Sequence, residues 1–259
     1  MKARLTSAPT LVTAAAVVIT AGFGMVFFYA PLDADQGFIQ KIFYLHVPLA
    51  IWALLGFIIA GIYGIKYLRT NDPAHDARSY VLIHQSVIFA TTVLITGSIW
   101  AKAAWGKWWI WDEPTLVSFL IIFLLYATYY PLRYSIEDRE RQARYASVFA
   151  IVAGAFVPLN FMAVRLAESL IHPRTFATAE GGLPGSMALT FLVCFIGLGL
   201  MFFALIKFEL EAKRTAAELS RLERQLAPDY EAPYRRTAAP TDLGASVSME
   251  ADRPDRGSL

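Results

Sequence analysis

Six apolar stretches, each long enough to cross a lipid bilayer, constrain the fold of this chain more than any other feature of its sequence. A transmembrane helix needs about 20 predominantly apolar residues. Such stretches cover about residues 11–30, 43–65, 80–101, 115–131, 145–164 and 186–207. Charged residues make up only 17% of the chain, against roughly a quarter in soluble domains. The sequence therefore predicts an all-α integral membrane protein with six transmembrane helices.

The distribution of lysine and arginine predicts how these spans are oriented, because cytoplasmic loops are enriched in both residues. With a cytoplasmic N-terminus, only five of the 23 basic residues lie outside: Lys41, Lys102, Lys107, Arg165 and Arg174. Both termini are then cytoplasmic, and residues 31–42, 102–114 and 165–185 face the outer side. The first apolar run is longer than the roughly 7–15 residues of a signal peptide, so we expect it to be a retained helix.

The sequence predicts a membrane domain over residues 1–208 and a cytoplasmic tail over 209–259. Residues 211–226 are good helix formers and predict a helix. After Pro228 the apolar residues no longer cluster, which predicts disorder. The net charge of +2 is too small to indicate a nucleic-acid partner. The single cysteine, Cys194, excludes an internal disulfide and a CxxC motif.

Five of the six tryptophans fall within the sequence WAKAAWGKWWIWDEP, residues 100–114. Tryptophan is enriched at membrane interfaces, where it anchors a helix, and we expect that role for Trp52 and Trp100 taken singly. The other four, Trp105, Trp108, Trp109 and Trp111, are too concentrated in one loop for anchoring alone. They predict an aromatic surface for a ligand, in the outer loop between the third and fourth helices.

The positions of the four histidines indicate what that ligand is. His75 lies in a cytoplasmic loop, and a structural role is favoured for His84, near the cytoplasmic end of its span. His46, one turn into the second span, and His172, in the last outer loop, share a face of the membrane with the tryptophans. From helical periodicity alone, a structural role and a ligand role are equally favoured for His46 and for His172. Two imidazoles beside an aromatic surface suit haem, whose iron has two open axial positions.

Other residues near the tryptophans have candidate roles in the same site. The haem propionates need cations, for which Lys102, Lys107, Arg165 and Arg174 are available on the outer face. Gly106 gives the backbone freedom to turn or to approach the ring closely. Asp112 either caps the helix that begins near residues 114–115 or belongs to the haem site.

The sequence WGKWWIWDEP, residues 105–114, resembles the W-G-x-W-W-x-W-D motif of the haem-handling (WWD) proteins of cytochrome c maturation. Six spans, with an H-V-P sequence at the outer end of the second, resemble the CcmC family, the haem exporter protein C of the Ccm system, over about residues 11–208. The resemblance implies that His46 and His172 are axial haem ligands. Many members continue as W-D-x-R, whereas Glu113 and Pro114 follow here. A propionate contact must then come from elsewhere, for which Lys107 is our candidate, or be absent.

The resemblance also implies a function and partners. Non-covalent haem b in transit would be held on the periplasmic side of the bacterial cytoplasmic (inner) membrane, among its lipids, and handed to the haem chaperone CcmE. The complex would include the ABC transporter subunits CcmA and CcmB and the small protein CcmD. No bond is made, so the protein is expected not to be an enzyme. The alternatives are a haem-attaching synthetase of the same superfamily and a small-molecule membrane transporter.

Overall fold

The computed structural model describes residues 8–167, 172 and 183–237, apart from the side chains of Ala163 and of residues 227–237. In chain order the elements are α1 (Ala8–Phe28), a 3-10 turn (Phe38–Ile42), α2 (Phe43–Thr70), α3 (Pro73–Trp105), α4 (Pro114–Ala127), α5 (Tyr129–Tyr134), α6 (Arg139–Leu166) and α7 (Gly185–Thr237).

Within these described residues, six helical stretches are long and apolar enough to cross a membrane, with α4 and α5 together forming one of them. The predicted fold class is thus confirmed. The helices extend beyond the predicted spans, and α3 begins at Pro73 rather than near residue 80. Its start is fixed by Asp72, whose side chain accepts a hydrogen bond from Ala74 N at 2.9 Å, and by proline at the first helical position. Hydropathy detects only the apolar part of such a helix.

Helix α2 is central to the bundle, because it packs against both α3 and α6. Glycines allow its backbone to come close to α6. A Cβ atom on Gly61 would lie 2.9 Å from Ala150 O, and one on Gly64 would lie 2.8 Å from Ser147 O. Small residues at such contacts are how membrane helices gain van der Waals packing. This contact holds α2, which carries His46, in place along its length.

Trp52 packs inside the bundle, so the prediction that it is an interfacial anchor is wrong. Its indole N–H donates to Phe195 O of α7 at 2.9 Å, and its ring stacks on Phe195 with 4.9 Å between centroids. Gly199 makes room for it, since a Cβ there would lie 2.4 Å from Trp52 Cζ2. Trp52 therefore connects α2 to α7.

Polar side chains join the helices at the end of the bundle opposite the tryptophans. Arg133 of α5 makes a two-pronged ion pair with Asp76 of α3, with N–O distances of 2.7 and 2.6 Å. His84 Nδ1 lies 2.8 Å from Glu209 Oε2 of α7, and Gln85 donates to the same oxygen at 2.7 Å. These bonds support the structural role expected for His84.

The chain divides into two compact units, residues 1–212 and 213–259. Helix α7 continues through residue 237, so the disorder predicted directly after Pro228 is not found over residues 229–237. A proline removes only one backbone hydrogen bond from a helix and bends it, and this does not always end the helix. The rest of the predicted disordered tail, residues 238–259, lies outside the described residues.

Candidate functional site

The tryptophan segment, residues 102–114, lies at the end of the bundle that we call the WWD end. Here Lys41 is buried, and its Nζ donates to Val26 O at 2.5 Å and Ala30 O at 2.9 Å at the C-terminus of α1. The Trp100 indole donates to Gln36 Oε1 at 2.7 Å, tying the loop after α1 to α3. Trp100 thus has a packing role in addition to the interfacial position predicted for it.

His46 lies one turn into α2, and its ring is oriented by α3. Its Nδ1 is 3.0 Å from Thr96 Oγ1. The Thr96 hydroxyl has a single hydrogen, which can go to a backbone carbonyl, that of Thr92 at 2.8 Å or of Val93 at 3.2 Å, or to His46 Nδ1. With the hydrogen on a carbonyl, the hydroxyl oxygen accepts from His46 Nδ1–H. That tautomer leaves the Nε2 lone pair available to a metal, as when an outer partner orients a metal-binding histidine.

Gly97, the residue after Thr96, leaves the space that the imidazole fills. A Cβ atom on Gly97 would lie 2.9 Å from His46 Cε1, a distance too short for the rigid ring to stay in place. The edge of the Trp100 ring completes the pocket, with 5.7 Å between its centroid and that of His46. Two adjacent residues of α3 and one indole thus fix the position of His46.

Helix α3 ends inside the tryptophan segment. Trp105 is its last residue, and Gly106 follows with a positive φ of 76°, the left-handed conformation that favours glycine at a helix end. Lys102 Nζ donates to Gly106 O at 2.9 Å and so stabilises the turn. Gly106 therefore directs residues 107–113 away from the α3 axis.

The four clustered indoles differ in their exposure. Trp108 and Trp111 are 59% and 71% exposed, whereas Trp105 and Trp109 are half-buried. Trp109 and Trp111 meet edge to face, with centroids 6.0 Å apart and planes at 64°. The Trp109 Nε1 atom is buried without a hydrogen-bond partner in the part of the chain that the structure describes. The segment thus presents two open indoles beside two packed ones.

Asp112 is exposed, and the prediction that it could cap the next helix is wrong. The N-cap of α4 is Glu113, whose Oε1 accepts a hydrogen bond from Thr115 N at 3.4 Å. The physical reason is that Pro114 occupies the first helical position, and this makes the preceding residue the cap. Asp112 therefore stays a candidate for the site only as an exposed charge at its edge.

His172 lies at a bend outside the helices and contacts the tryptophan segment in two ways. Its ring meets the Trp105 indole at 6.3 Å between centroids, and its backbone N–H donates to Glu113 Oε2 at 3.3 Å. His46 and His172 also lie close enough for a charge on one imidazole to act on the other. The structure thus brings both predicted ligands to the WWD end.

The predicted cations around the segment have different surroundings. Lys107 is exposed, Lys102 is committed to Gly106 O, and the guanidinium of Arg165 lies over the Phe161 ring at 5.5 Å. Arg174 lies outside the described residues. Of the four candidate cations, only Arg174 therefore has no described position.

Sequence reasoning missed three residues of the site: Thr96, Gly97 and Glu113. Thr96 and Gly97 give no signal in a single sequence, because a threonine or a glycine in an apolar span has many uses. Glu113 did give one, since a proline at the first helical position makes the residue before it the N-cap. Nothing in the spacing of Glu113 and His172 along the sequence indicates that these two residues are in contact.

The ligand set restricts the kind of metal that the site suits. Over residues 8–167, 172 and 183–237, the structure has no group of three or more histidine, cysteine or acidic side chains that could hold a metal ion. Two imidazoles therefore suit a metal whose remaining positions are already filled by a macrocycle. The exposed indoles beside them offer π-faces for such a ring.

Comparison with known proteins decides the family. The sequence model of CcmC, heme exporter protein C, matches residues 1–225. The chain belongs to the CcmC family. Heme exporter protein C of Escherichia coli strain K12 is 32% identical to it over 155 residues, 58% of this chain and 61% of the relative. The protein of the same name from Paracoccus denitrificans is 30% identical over 218 residues, 82% of this chain and 89% of the relative.

The extent of these matches differs between CcmC relatives. The alignment spans about three fifths of the length of the Escherichia coli protein. Heme exporter protein C of Rhodobacter capsulatus is 26% identical over 219 residues, 84% of this chain and 90% of the relative. Residues 8–167, 172 and part of α7, which hold the described site, lie within the region that matches the family.

Proposed function

We propose that this protein binds haem at the WWD end and passes it on for the maturation of c-type cytochromes. His46 and His172 are the two axial ligands of the iron, and the haem is b-type and non-covalently held. The single observation that carries this proposal is the placement of both imidazoles beside one tryptophan segment. His46 supports it most directly, because Thr96 and Gly97 fix its ring and the Nδ1–H tautomer presents Nε2 to the iron.

The tryptophan segment supplies the rest of the haem surface. Trp105, Trp108, Trp109 and Trp111 contact the porphyrin, each contributing about 1–3 kcal/mol by analogy with bases stacked on aromatic rings. Gly106 directs the segment, and Asp112 lies at its edge. The arginine that often follows W-D in this family is replaced here. Other cations must therefore contact the propionates, and these are Lys107 and Arg174.

The site lies on the periplasmic side of the bacterial inner membrane, as the distribution of basic residues supports. The recipient is the haem chaperone CcmE, and CcmA, CcmB and CcmD form the complex in which the transfer takes place. The protein makes and breaks only coordination bonds to iron, so it is a binding and transfer protein rather than an enzyme.

Purified protein in detergent is expected to show a b-type, low-spin haem spectrum, because two neutral imidazoles provide a strong axial field. Acidified acetone should extract all of this haem, since the single cysteine, Cys194, is buried and the sequence has no CxxCH motif that could bind it covalently. Mixing with apo-CcmE should move the haem to CcmE, and a CxxCH peptide should acquire no covalent haem. A preparation that stays free of haem when haem is supplied would contradict the proposal, and attachment to the peptide would favour a synthetase.

Replacing Thr96 with valine is expected to weaken haem binding by about 10–100-fold, the usual cost of removing an outer partner of a metal-binding histidine. Valine keeps the shape of the side chain but leaves His46 Nδ1–H without its acceptor, so the ring is no longer held in one orientation. Haem titration followed by absorption measures the change. The matched control is Thr92→Val, one turn earlier in α3, where the hydroxyl donates to Ile88 O at 3.0 Å. Equal affinity in both variants would contradict the role of Thr96.

A further inference from the structure

Glu113 is an acidic side chain that is fully buried, with 0% of its surface exposed. It directly follows Trp111 and Asp112 in the tryptophan segment. A buried carboxylate is costly unless polar groups replace the water it has lost. The groups that surround Glu113 therefore indicate what it holds in place.

Two backbone N–H groups from different parts of the chain donate to this carboxylate. Thr115 N, in the first turn of α4, lies 3.4 Å from Oε1, where the positive end of the helix dipole also favours an anion. His172 N lies 3.3 Å from Oε2. Glu113 thus caps α4 with one oxygen and holds the backbone of a proposed haem ligand with the other.

The two proposed ligands are attached to the protein in different ways. The His46 ring is fixed on a helix by the Thr96 hydroxyl at 3.0 Å and by the space over Gly97. His172 lies outside the helices and contacts the tryptophan segment through Glu113 and the Trp105 ring. The position of the second ligand therefore depends on a side chain that is not itself a ligand.

We propose that Glu113 is the positioning residue that holds His172 at the tryptophan segment and so sets how fast the second axial bond to haem iron is lost. This inference rests on the proposed haem-binding function and adds a residue to it. The bond connects the backbone of His172 to a side chain of the tryptophan segment and so limits how far the His172 imidazole can move from it. The contact involves no iron, so haem can leave without disturbing it.

The variant Glu113→Asp separates the two tasks of this side chain. Aspartate is a good N-cap and keeps the bond to the start of α4. It is shorter by one methylene group, about 1.5 Å, and does not reach His172 N. We expect a mixed low-spin and high-spin spectrum, and transfer of haem to apomyoglobin about tenfold faster than from the unchanged protein. Added imidazole should restore the low-spin spectrum, because it occupies the position that His172 has left.

The control is Glu140→Gln, which removes an exposed carboxylate, 74% exposed, at the opposite end of the bundle and should leave spectrum and transfer rate unchanged. A Glu113→Asp protein with the original spectrum and rate would overturn the inference, as would a high-spin spectrum that imidazole does not restore. Failure of the proposed haem-binding function can be told apart from failure of this inference, because in that case the unchanged protein would show no low-spin haem spectrum. The thermal unfolding temperature of both variants, measured in detergent, tests whether the bundle remains folded.

Discussion

Replacing His46 with alanine is expected to remove the low-spin haem spectrum and most of the bound haem. The change deletes the ligand nitrogen itself, whereas loss of an outer partner alone costs about 10–100-fold in metal affinity. The effect of His46→Ala should therefore exceed that of Thr96→Val. Absorption and electron paramagnetic resonance spectra, with the haem content of the purified protein, measure it.

The variants His46→Ala and His172→Ala are expected to differ in how much haem they retain. In His172→Ala the remaining ligand, His46, is still oriented by Thr96, so haem should stay bound with a high-spin spectrum. In His46→Ala the remaining ligand lies outside the helices and is held through its backbone bond to Glu113 and its contact with Trp105, so retention should be lower. The control is His84→Ala, at the opposite end of the bundle. Unchanged spectra in both ligand variants would contradict the assignment of the iron ligands.

Of the substitutions proposed here, breaking the ion pair between Arg133 and Asp76 is expected to lower the free energy of unfolding most. The two side chains are only 10% and 14% exposed, and they make two short contacts of 2.7 and 2.6 Å. Removing one partner leaves the other charge buried and uncompensated, which costs about 3–5 kcal/mol. The variant Asp76→Asn should therefore unfold at a markedly lower temperature in detergent, as circular dichroism would measure.

The control for this prediction is a second arginine pair in the same part of the protein. Arg144 and Glu140 lie 3.4 Å apart with side chains 59% and 74% exposed, and an exposed pair contributes between about 0 and 1 kcal/mol. Glu140→Gln should leave the unfolding temperature nearly unchanged. Below its unfolding temperature Asp76→Asn should keep the haem spectrum, since the pair lies far from the WWD end. Equal unfolding temperatures for the two variants would contradict the structural role of the buried pair.

The sequence predicted the helices well and their ends less well. The apolar core of α3 is visible in hydropathy, but its first turn is set by the polar Asp72 cap and Pro73. The same kind of local pattern marks Glu113, the residue directly before Pro114 at the first helical position, as the cap of α4, whereas Asp112 lies one residue too early. Trp52 and Trp100 look like interfacial anchors by residue type alone. Each indole N–H has a partner within the protein, Phe195 O and Gln36 Oε1, which residue type alone does not predict.

The sequence by itself determined the six membrane-crossing helices and the grouping of His46, His172 and the tryptophans at one end. It could do so because the thickness of a bilayer fixes the length of each span, and alternating spans then assign every loop to a side. Only the tertiary structure decided how the two imidazoles are held. Thr96 is 50 residues from His46 and Glu113 is 59 residues from His172, and contacts across such separations follow from helix packing rather than from any local pattern.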